Sequence, residues 1–307
     1  MNANRKRIVI AGGSGFIGTA LAKELSRRNY EVIVLTRSPK LRADGVKEME
    51  WDGEHIGEWI KFLDGAEAVV NLTGRSVNCR HTPENLREII DSRVNSINAV
   101  GAGIYHIAQP PKVWVQSGSL AFYGDLADEW CDENSPQKPG TAIEICRLWE
   151  NAFNAAPAPK TRKILLRIGF VLARDGGALS VLSKLTKWFL GGRVGSGKQF
   201  ISWIHVADMN QMFIEAIENE KLSGAFNATG PNPVTNEEFM RELRYALSRP
   251  WSPPAPEWAV RIGSRLMKTE ASLALTGRRC SPKRFLQSGF QFEFSKLRRA
   301  FGDIYPN

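Results

Sequence analysis

The chain has 307 residues, 43% of them hydrophobic, enough to bury a large core without disulfide staples and to form one large domain or two unequal ones. No apolar run approaches the length of a membrane span, and the start MNANRKRIVIAGG passes into a glycine turn instead of a cleavable apolar segment, so a cytoplasmic protein is expected. The net charge of +9 is uneven, with ten Lys and Arg against three acids from residue 261 onward. That stretch reads as a solvated basic face. Nucleic acid is not expected as a partner, because no base-reading motif is present and few aromatics sit among the charges. Cys79, Cys131, Cys146 and Cys280 are far apart with no C-x-x-C spacing, and read as free thiols. The four His do not pair at ligand spacing, so no metal is expected.

In chain order, RIVIA at 7–11 is a short β-branched run suited to a strand buried on both faces. It enters GGSGFIG, that is Gly12, Gly13, Ser14, Gly15, Phe16, Ile17 and Gly18, then a helical pattern TALAKELSRRN and a second strand EVIVLT at 31–36. Strand, glycine turn and helix are the context a G-x-G-x-x-G match requires: the glycines let backbone approach a pyrophosphate, and the helix N-terminus offers free N–H groups to it. The second strand ends in Thr36, Arg37 and Ser38, where a site preferring NAD would place an acid; an Arg there suits a 2′-phosphate, so NADP(H) is the expected cofactor. Asp52, after the run MEW, falls where a third strand end could edge the adenine. The next strand, AVVNLTG at 68–74, closes on a small turn of Leu72, Thr73 and Gly74 whose backbone could lie along the cofactor.

Further on, VWVQ ends in SGSLAFYG at 117–124, and a helical pattern starts with TAIEICRLWE at 141–150. KILLR at 163–167 is a strand, a helix is expected over 179–190, and LGGRVGSGKQ carries Arg193 and Lys198 on a Gly-rich turn able to meet phosphate. His205 reads as a hydrogen-bonded structural residue with Asp208 as a helix N-cap, and Thr235 or Asn236 caps the next helix. RPWSPPAPEW at 249–258 is too Pro-rich for a helix, and helical patterns follow at 259–268 and 271–276.

GGSGFIG, VLTRSP, NLTG, RIGFVLARDGGAL, LGGRVGSGKQFISWIHVADM, NATGPNPVTNEEF and RRCSPKRFLQSGFQF together resemble the extended short-chain dehydrogenase/reductases, a group that includes NAD(P)-dependent sugar epimerases and dehydratases. The likeness is closest to the "epimerase family protein" branch, nucleoside-diphosphate-sugar epimerases with a small extra C-terminal domain of unknown function, and it covers nearly the whole chain. It implies a doubly wound parallel sheet (Rossmann) with a smaller, mostly helical C-terminal cap domain. Residues 1–174 would bind NADP, with a return to that domain near 200–228. Residues 175–307 would form the substrate and cap region, about 250–307 being the C-terminal domain. It also implies that Thr36 and Arg37 meet the 2′-phosphate, that Leu72 and Thr73 line the cofactor, and that Glu88 and Arg93 contact it.

In the wider group a Tyr abstracts a proton, a Lys one helical turn later lowers its pKa, and a Ser binds the reacting oxygen. Ser119 takes the Ser position, with Ser117 a second candidate because the register is open. The Tyr and Lys positions fall on Ala142 and Cys146, or in another register on Glu144 and Leu148, so neither alignment supplies the pair. Tyr123 as acid/base, Glu144 as a base raised by burial, and Cys146 as a thiol beside the nicotinamide are the substitutes. Two functions remain: an NADP(H)-dependent epimerase or oxidoreductase acting on a sugar nucleotide or other phosphate-bearing small molecule, or an NADP-binding regulatory or redox-sensing protein without turnover. A homo-oligomer is compatible with both.

Overall fold

The computed structural model describes residues 5–306; Met1–Asn4, part of the basic start, and Asn307 lie outside the described residues. The first half alternates strand and helix: β1 (Arg7–Ala11), α1 (Phe16–Arg27), β2 (Glu31–Thr36), β3 (Lys47–Glu50), β4 (Ala68–Asn71), α2 (Pro83–His106), β5 (Val113–Ser119), β6 (Trp130–Cys131), α3 (Thr141–Ala155), β7 (Arg162–Ile168) and β8 (Phe170–Leu172). A 3-10 turn, Leu120–Tyr123, follows β5. Next come α4 (Gly177–Lys187), β9 (Phe200–Ile201), β10 (Trp203–His205), α5 (Val206–Glu218), β11 (Gly224–Ala228), β12 (Val234–Thr235) and α6 (Asn236–Ala246). The C-terminal part holds α7 (Glu257–Leu266), α8 (Ser272–Leu275), β13 (Arg279–Cys280), α9 (Lys283–Gln287) and α10 (Leu297–Ile304).

Seven parallel strands form one sheet in the order β11-β7-β5-β4-β1-β2-β3. Its central strands are mostly apolar because both faces are covered. Alternation sends Ile8 and Ile10 of β1 into the core packed with α1 and α5, and Val9 and Ala11 into the opposite core with α2 and α3. The chain leaves β1 toward β2 on one side and returns to β4 on the other, so the crevice beyond the C-terminal ends of β1 and β4 is the topological switch point where such sheets bind ligands. A third core joins Leu172, Leu179, Trp203, Phe239, Leu243 and Phe301, fastening α4, α6 and α10 to the small β8–β10 sheet. The expected doubly wound sheet with a smaller, mostly helical cap is the observed architecture. Among the described residues no helix is long and apolar enough to cross a membrane.

Two sequence expectations need correction here. Cys131 and Cys280 are not free thiols: parallel pairing of β13 on β6 brings them together with a Cα–Cα distance of 4.6 Å, and they form a disulfide across 149 residues of chain. Only a tertiary contact unites them, so spacing along the sequence carried no sign of it. Asp208 is not the N-cap of α5; His205 caps it through Nδ1, which accepts from the Ala207 N–H at 3.2 Å. The Asp208 carboxylate instead accepts from the Glu293 and Phe294 N–H groups at 2.8 and 3.0 Å, tying the C-terminal segment to α5. Part of the basic C-terminal charge, still at the surface, meets partners within the chain: exposed Arg298 pairs with Glu242 and exposed Lys283 with Asp132, while Arg284 donates to the Ala225 and Ser223 carbonyls.

Candidate cofactor and substrate site

The glycine turn sits at the mouth of the switch-point crevice, and its composition follows from close approach. Gly12 has φ +71°, and a Cβ there would lie 2.9 Å from the Thr73 backbone. A Cβ on Gly13 would meet Val34 at 2.8 Å, and one on Gly18 would meet Gly13 at 2.5 Å, so α1 can pack this close to the strands only on glycine. Gly15 is the N-cap of α1, with no side chain capping the first amides and no acid in the first turn, which leaves N–H groups and the positive end of the helix open to an anion. Ser14 Oγ lies 2.9 Å from Thr36 Oγ1, fixing the turn to the end of β2. Phe16 packs its ring where a Cβ on Gly176 or Gly177 would stand, at 2.6 and 2.8 Å, so the loop before α4 folds over the start of α1. Ile17 packs into the core beside it.

Beyond β2, Arg37 and Ser38 are exposed, and no hydrogen bond or ion pair engages the Arg37 side chain among the described residues. Asp52 follows β3, but its carboxylate is turned into its own loop. The His55 N–H donates to it at 2.9 Å and the Glu54 N–H at 2.8 Å, and with the His55 ring these hold its pKa down to about 2. Past β4, Leu72 donates its N–H to the Ala11 carbonyl at 2.9 Å, and Thr73 Oγ1 is buried with no partner. A glycine cradle, an uncapped helix start and an orphaned hydroxyl at one crevice fit a dinucleotide with its pyrophosphate on α1.

Arg93 reaches this crevice from α2. Its guanidinium packs on Gly74, where a Cβ would lie 3.0 Å from Arg93 Cζ; Nη1 donates to the Ile89 and Arg75 carbonyls at 2.8 and 3.0 Å. The guanidinium also stacks 4.8 Å from the Trp149 ring of α3. Burial without a counter-charge pulls its pKa down to about 10. Glu88, one turn earlier, lies on the surface and pairs with Arg75. The two residues therefore part company, Arg93 facing the crevice and Glu88 the solvent.

β5 delivers the Ser candidates. Ser117 and Ser119 share one face of the strand, Ser117 buried within the sheet and Ser119 partly accessible at its C-terminal end. Ser119 Oγ accepts from the Ala121 N–H at 3.1 Å, which starts the 3-10 turn and leaves its own proton free to donate.

The α3 face separates the remaining candidates. Ile143, Cys146, Trp149, Glu150 and Phe153 point inward, while Glu144 and Arg147 point out. Glu144 is therefore no buried base: the bidentate Arg147 pair at 2.6 and 2.9 Å holds its carboxyl below the usual range, opposite to the expected rise. Tyr123, the other acid/base candidate, is withdrawn from the surface. It is fully buried, donates its O–H to Asn227 Oδ1 at 2.8 Å and accepts from Arg167 Nη1 at 2.7 Å, and burial pushes its pKa up to about 12. The same Arg167 forms a two-pronged pair with Glu150 at 2.9 and 2.8 Å, both side chains buried. Burial pushes the Glu150 carboxyl up, and the Arg167 bonds oppose that rise. This Tyr123–Arg167–Glu150–Asn227 network is structural, joining the turn after β5, α3, β7 and β11; nothing in the sequence pattern linked these positions. Cys146 is buried, its thiol pushed up to about 12, first by burial and then by the charge of Glu150. The inward face thus carries Cys146 at the Lys position of the first register, with partly buried Ala142 one turn earlier. No proton-transferring pair stands there.

Arg193 does not reach toward a ligand. Its Nη1 donates to the Ser196 and Gly195 carbonyls of its own turn at 2.8 and 3.2 Å. Arg278, in sequence only one cation of the basic tail, is held beside this region by the C-terminal part of the chain. Its N–H donates to the Phe200 carbonyl at 2.9 Å and its carbonyl accepts from Ser202 Oγ at 2.7 Å.

Sheet order and crevice together define a protein built on the dinucleotide-binding α/β fold. A family model described as "NAD dependent epimerase/dehydratase family" matches residues 8–228, and one described as "Domain of unknown function (DUF1731)" matches residues 255–304. The chain belongs to the NAD dependent epimerase/dehydratase family. It is 35% identical to the Arabidopsis thaliana "Epimerase family protein SDR39U1 homolog, chloroplastic", over 97% of this chain and 86% of that protein. It is 34% identical to the Mycobacterium leprae "Epimerase family protein ML0860", over 97% of this chain and 95% of that protein. The crystal structure of human epimerase family protein SDR39U1 (isoform 2) with NADPH superposes with a TM-score of 0.88 at 32% identity, covering 98% of this chain and 99% of that one.

Proposed function

We propose that this chain binds NADP(H) and moves hydride between its nicotinamide and a small phosphate-bearing substrate, a sugar nucleotide being the first class to test. The observation that carries this reading is the end of β2: beside the glycine cradle stand Thr36, a free Arg37 and Ser38, with no acid to hold a bare ribose. The human relative's structure with NADPH supports the same choice. In this reading residues 1–174, with the return near 200–228, hold the cofactor, and 175–307 cover the substrate. The amides of Gly13–Ile17 bind pyrophosphate, Arg37 and Ser38 bind the 2′-phosphate, Leu72, Thr73 and Gly74 line the dinucleotide, and Arg93 steadies its inner end. When bound, the nicotinamide supplies or accepts the hydride. Ser119, with its proton free, hydrogen-bonds the reacting oxygen.

A second reading is an NADP(H)-binding sensor without turnover. The α3 face favours it, because Ala142 and Cys146 offer no proton donor titrating near neutral pH. Fluorescence titration with NADPH and NADH tests the first step. Arg37→Glu removes a charge-assisted contact of ~1.5–3 kcal/mol, so NADPH affinity falls roughly 10- to 100-fold while NADH affinity changes little. An unchanged NADPH/NADH ratio sinks the cofactor assignment. Loss of NADPH absorbance with a sugar nucleotide then separates enzyme from sensor.

A further inference from the structure

Two guanidinium groups whose charges act on the Cys146 thiol of α3, those of Arg93 and Arg278, have no carboxylate partner among the described residues. Arg93 comes from α2 and is accounted for by the cofactor side of the crevice. Arg278 comes from the C-terminal module and is unassigned. Its Nε is buried with no hydrogen-bond partner, and no other atom of its guanidinium donates to any described residue. The nearest acid acting on it, Asp125, already accepts from the Gly277 and Ala127 N–H groups at 3.4 and 3.3 Å. The charges of Arg278, Arg93 and Arg167 all act on the Cys146 thiol, against that of Glu150.

The backbone around Arg278 is fixed from several sides. Gly277 packs so closely that a Cβ would lie 2.5 Å from the Phe200 nitrogen, and its carbonyl accepts from Leu126. Arg279 turns to Trp130 and Phe200, stacking at 4.3 and 4.6 Å, and Cys280 is tied to Cys131. Arg278 is part-buried with its Nε fully enclosed, an unfavourable setting for a charge without a counter-charge, and a rigid support for one is characteristic of a group kept for a ligand. Arginine presents the planar fork that matches an oxyanion.

We propose that Arg278 is the receptor for an oxyanion of the substrate, a carboxylate or a phosphate, which it holds against the Cys146 turn of α3. The proposal rests on the reading that the adjoining crevice holds NADP(H). In it, the C-terminal module carries the substrate-anion site to the cofactor domain.

The test titrates the NADPH-saturated full-length protein with oxalate and, separately, with inorganic phosphate, by calorimetry, for wild type, Arg278→Met and Arg278→Lys. NADPH affinity of each protein is measured first, and the oxyanion titrations are repeated without NADPH, so failure of the cofactor reading is seen apart from failure of this one. The expected result is saturable binding of at least one oxyanion, weakened about 10- to 100-fold in Arg278→Met and less in Arg278→Lys, with NADPH affinity unchanged. Preference for oxalate assigns a carboxylate substrate, and preference for phosphate assigns a phosphate ester. The proposal is overturned if neither oxyanion binds wild type, if both variants bind as wild type does, or if Arg278→Met weakens NADPH as much as the oxyanion. Should Arg278→Met not fold, the Arg278→Lys titration decides alone.

Discussion

Replacing Glu150 separates a structural role for the α3 network from a catalytic one. Glu150 and Arg167 are each 6% exposed, and Arg167 uses Nε and Nη2 on the carboxylate and Nη1 on Tyr123. Removing one member of a buried pair costs about 3–5 kcal/mol, because the other charge stays buried and uncompensated. Glu150→Gln keeps the shape and one acceptor oxygen, which puts it near the lower end; Glu150→Leu keeps neither and falls near the upper. At about 2 °C per kcal/mol for a chain of this size, melting falls by roughly 6 °C for Gln and roughly 10 °C for Leu. Glu150→Leu combined with Arg167→Met removes both charges, leaving the Tyr123 O–H its bond to Asn227, so the double variant loses about 1–3 kcal/mol less than the sum of the singles. Thermal melts and urea titrations of wild type, the two singles and the double give the cycle, and NADPH titration of each gives the functional readout. NADPH affinity should stay within about twofold, since none of the four network residues is among those that hold the cofactor in the proposed site. The structural assignment fails if Glu150→Gln melts like wild type, if the two single costs simply add, or if a stably folded Glu150→Gln loses NADPH binding.

Two further outcomes follow from the same geometry. Gly12→Ala places a side chain at φ +71° against the Thr73 backbone, which costs about 1–3 kcal/mol and displaces the end of β4; NADPH binding should drop at least tenfold with the melt lowered, and native-like values for both would refute the cradle. Cys146, its thiol pushed up to about 12 by burial, stays protonated from about pH 7 to about pH 9, so iodoacetamide followed by mass spectrometry should modify Cys79 and spare Cys146 in the native protein. Rapid alkylation of Cys146, with a rate rising through neutral pH, would make it a reactive thiol and overturn that assignment.

Local chemistry is legible in this sequence and distant convergence is not. RIVIA, the glycine turn and EVIVLT act over a few residues each, so composition alone determines the strand, the cradle and the following strand. Gly12 is needed because a backbone passes within contact distance, and a glycine at that point of a βαβ unit signals as much. The phase of α3 is also within reach: Ile143, Cys146, Trp149 and Phe153 recur at helical spacing, which places Glu144 on the opposite, solvent face. Alignment register alone points to Glu144 as a base; helical phase excludes it. Tyr123, by contrast, stands after a strand end where accessible loops are common, and only the arrival of Arg167 from β7 and Asn227 from β11 buries it. Cys131 and Cys280 belong to the same class of contact. Arg278 is hidden by its company, since one cation in a basic stretch looks like its neighbours until their partners are known.

Positive charge acts at the inward face of α3 although that helix offers no Lys there: the charges of Arg93 and Arg278 act on the Cys146 thiol, opposed by that of Glu150. A Lys at position 146 would add an ammonium group where the charges of Arg93, Arg167 and Arg278 are already set against the one carboxylate of Glu150. In the proposed site that positive charge comes from α2 on the cofactor side and from the C-terminal module on the other. Guanidinium groups stay charged near neutral pH, so charge delivered this way holds and polarises an anionic oxygen but transfers no proton. In the proposed reaction, any proton required would come through Ser119 and solvent or from the substrate itself. A pH profile of turnover without a titrating side chain on α3 is the kinetic form this arrangement would take, and a profile governed by Cys146 or Tyr123 would contradict it.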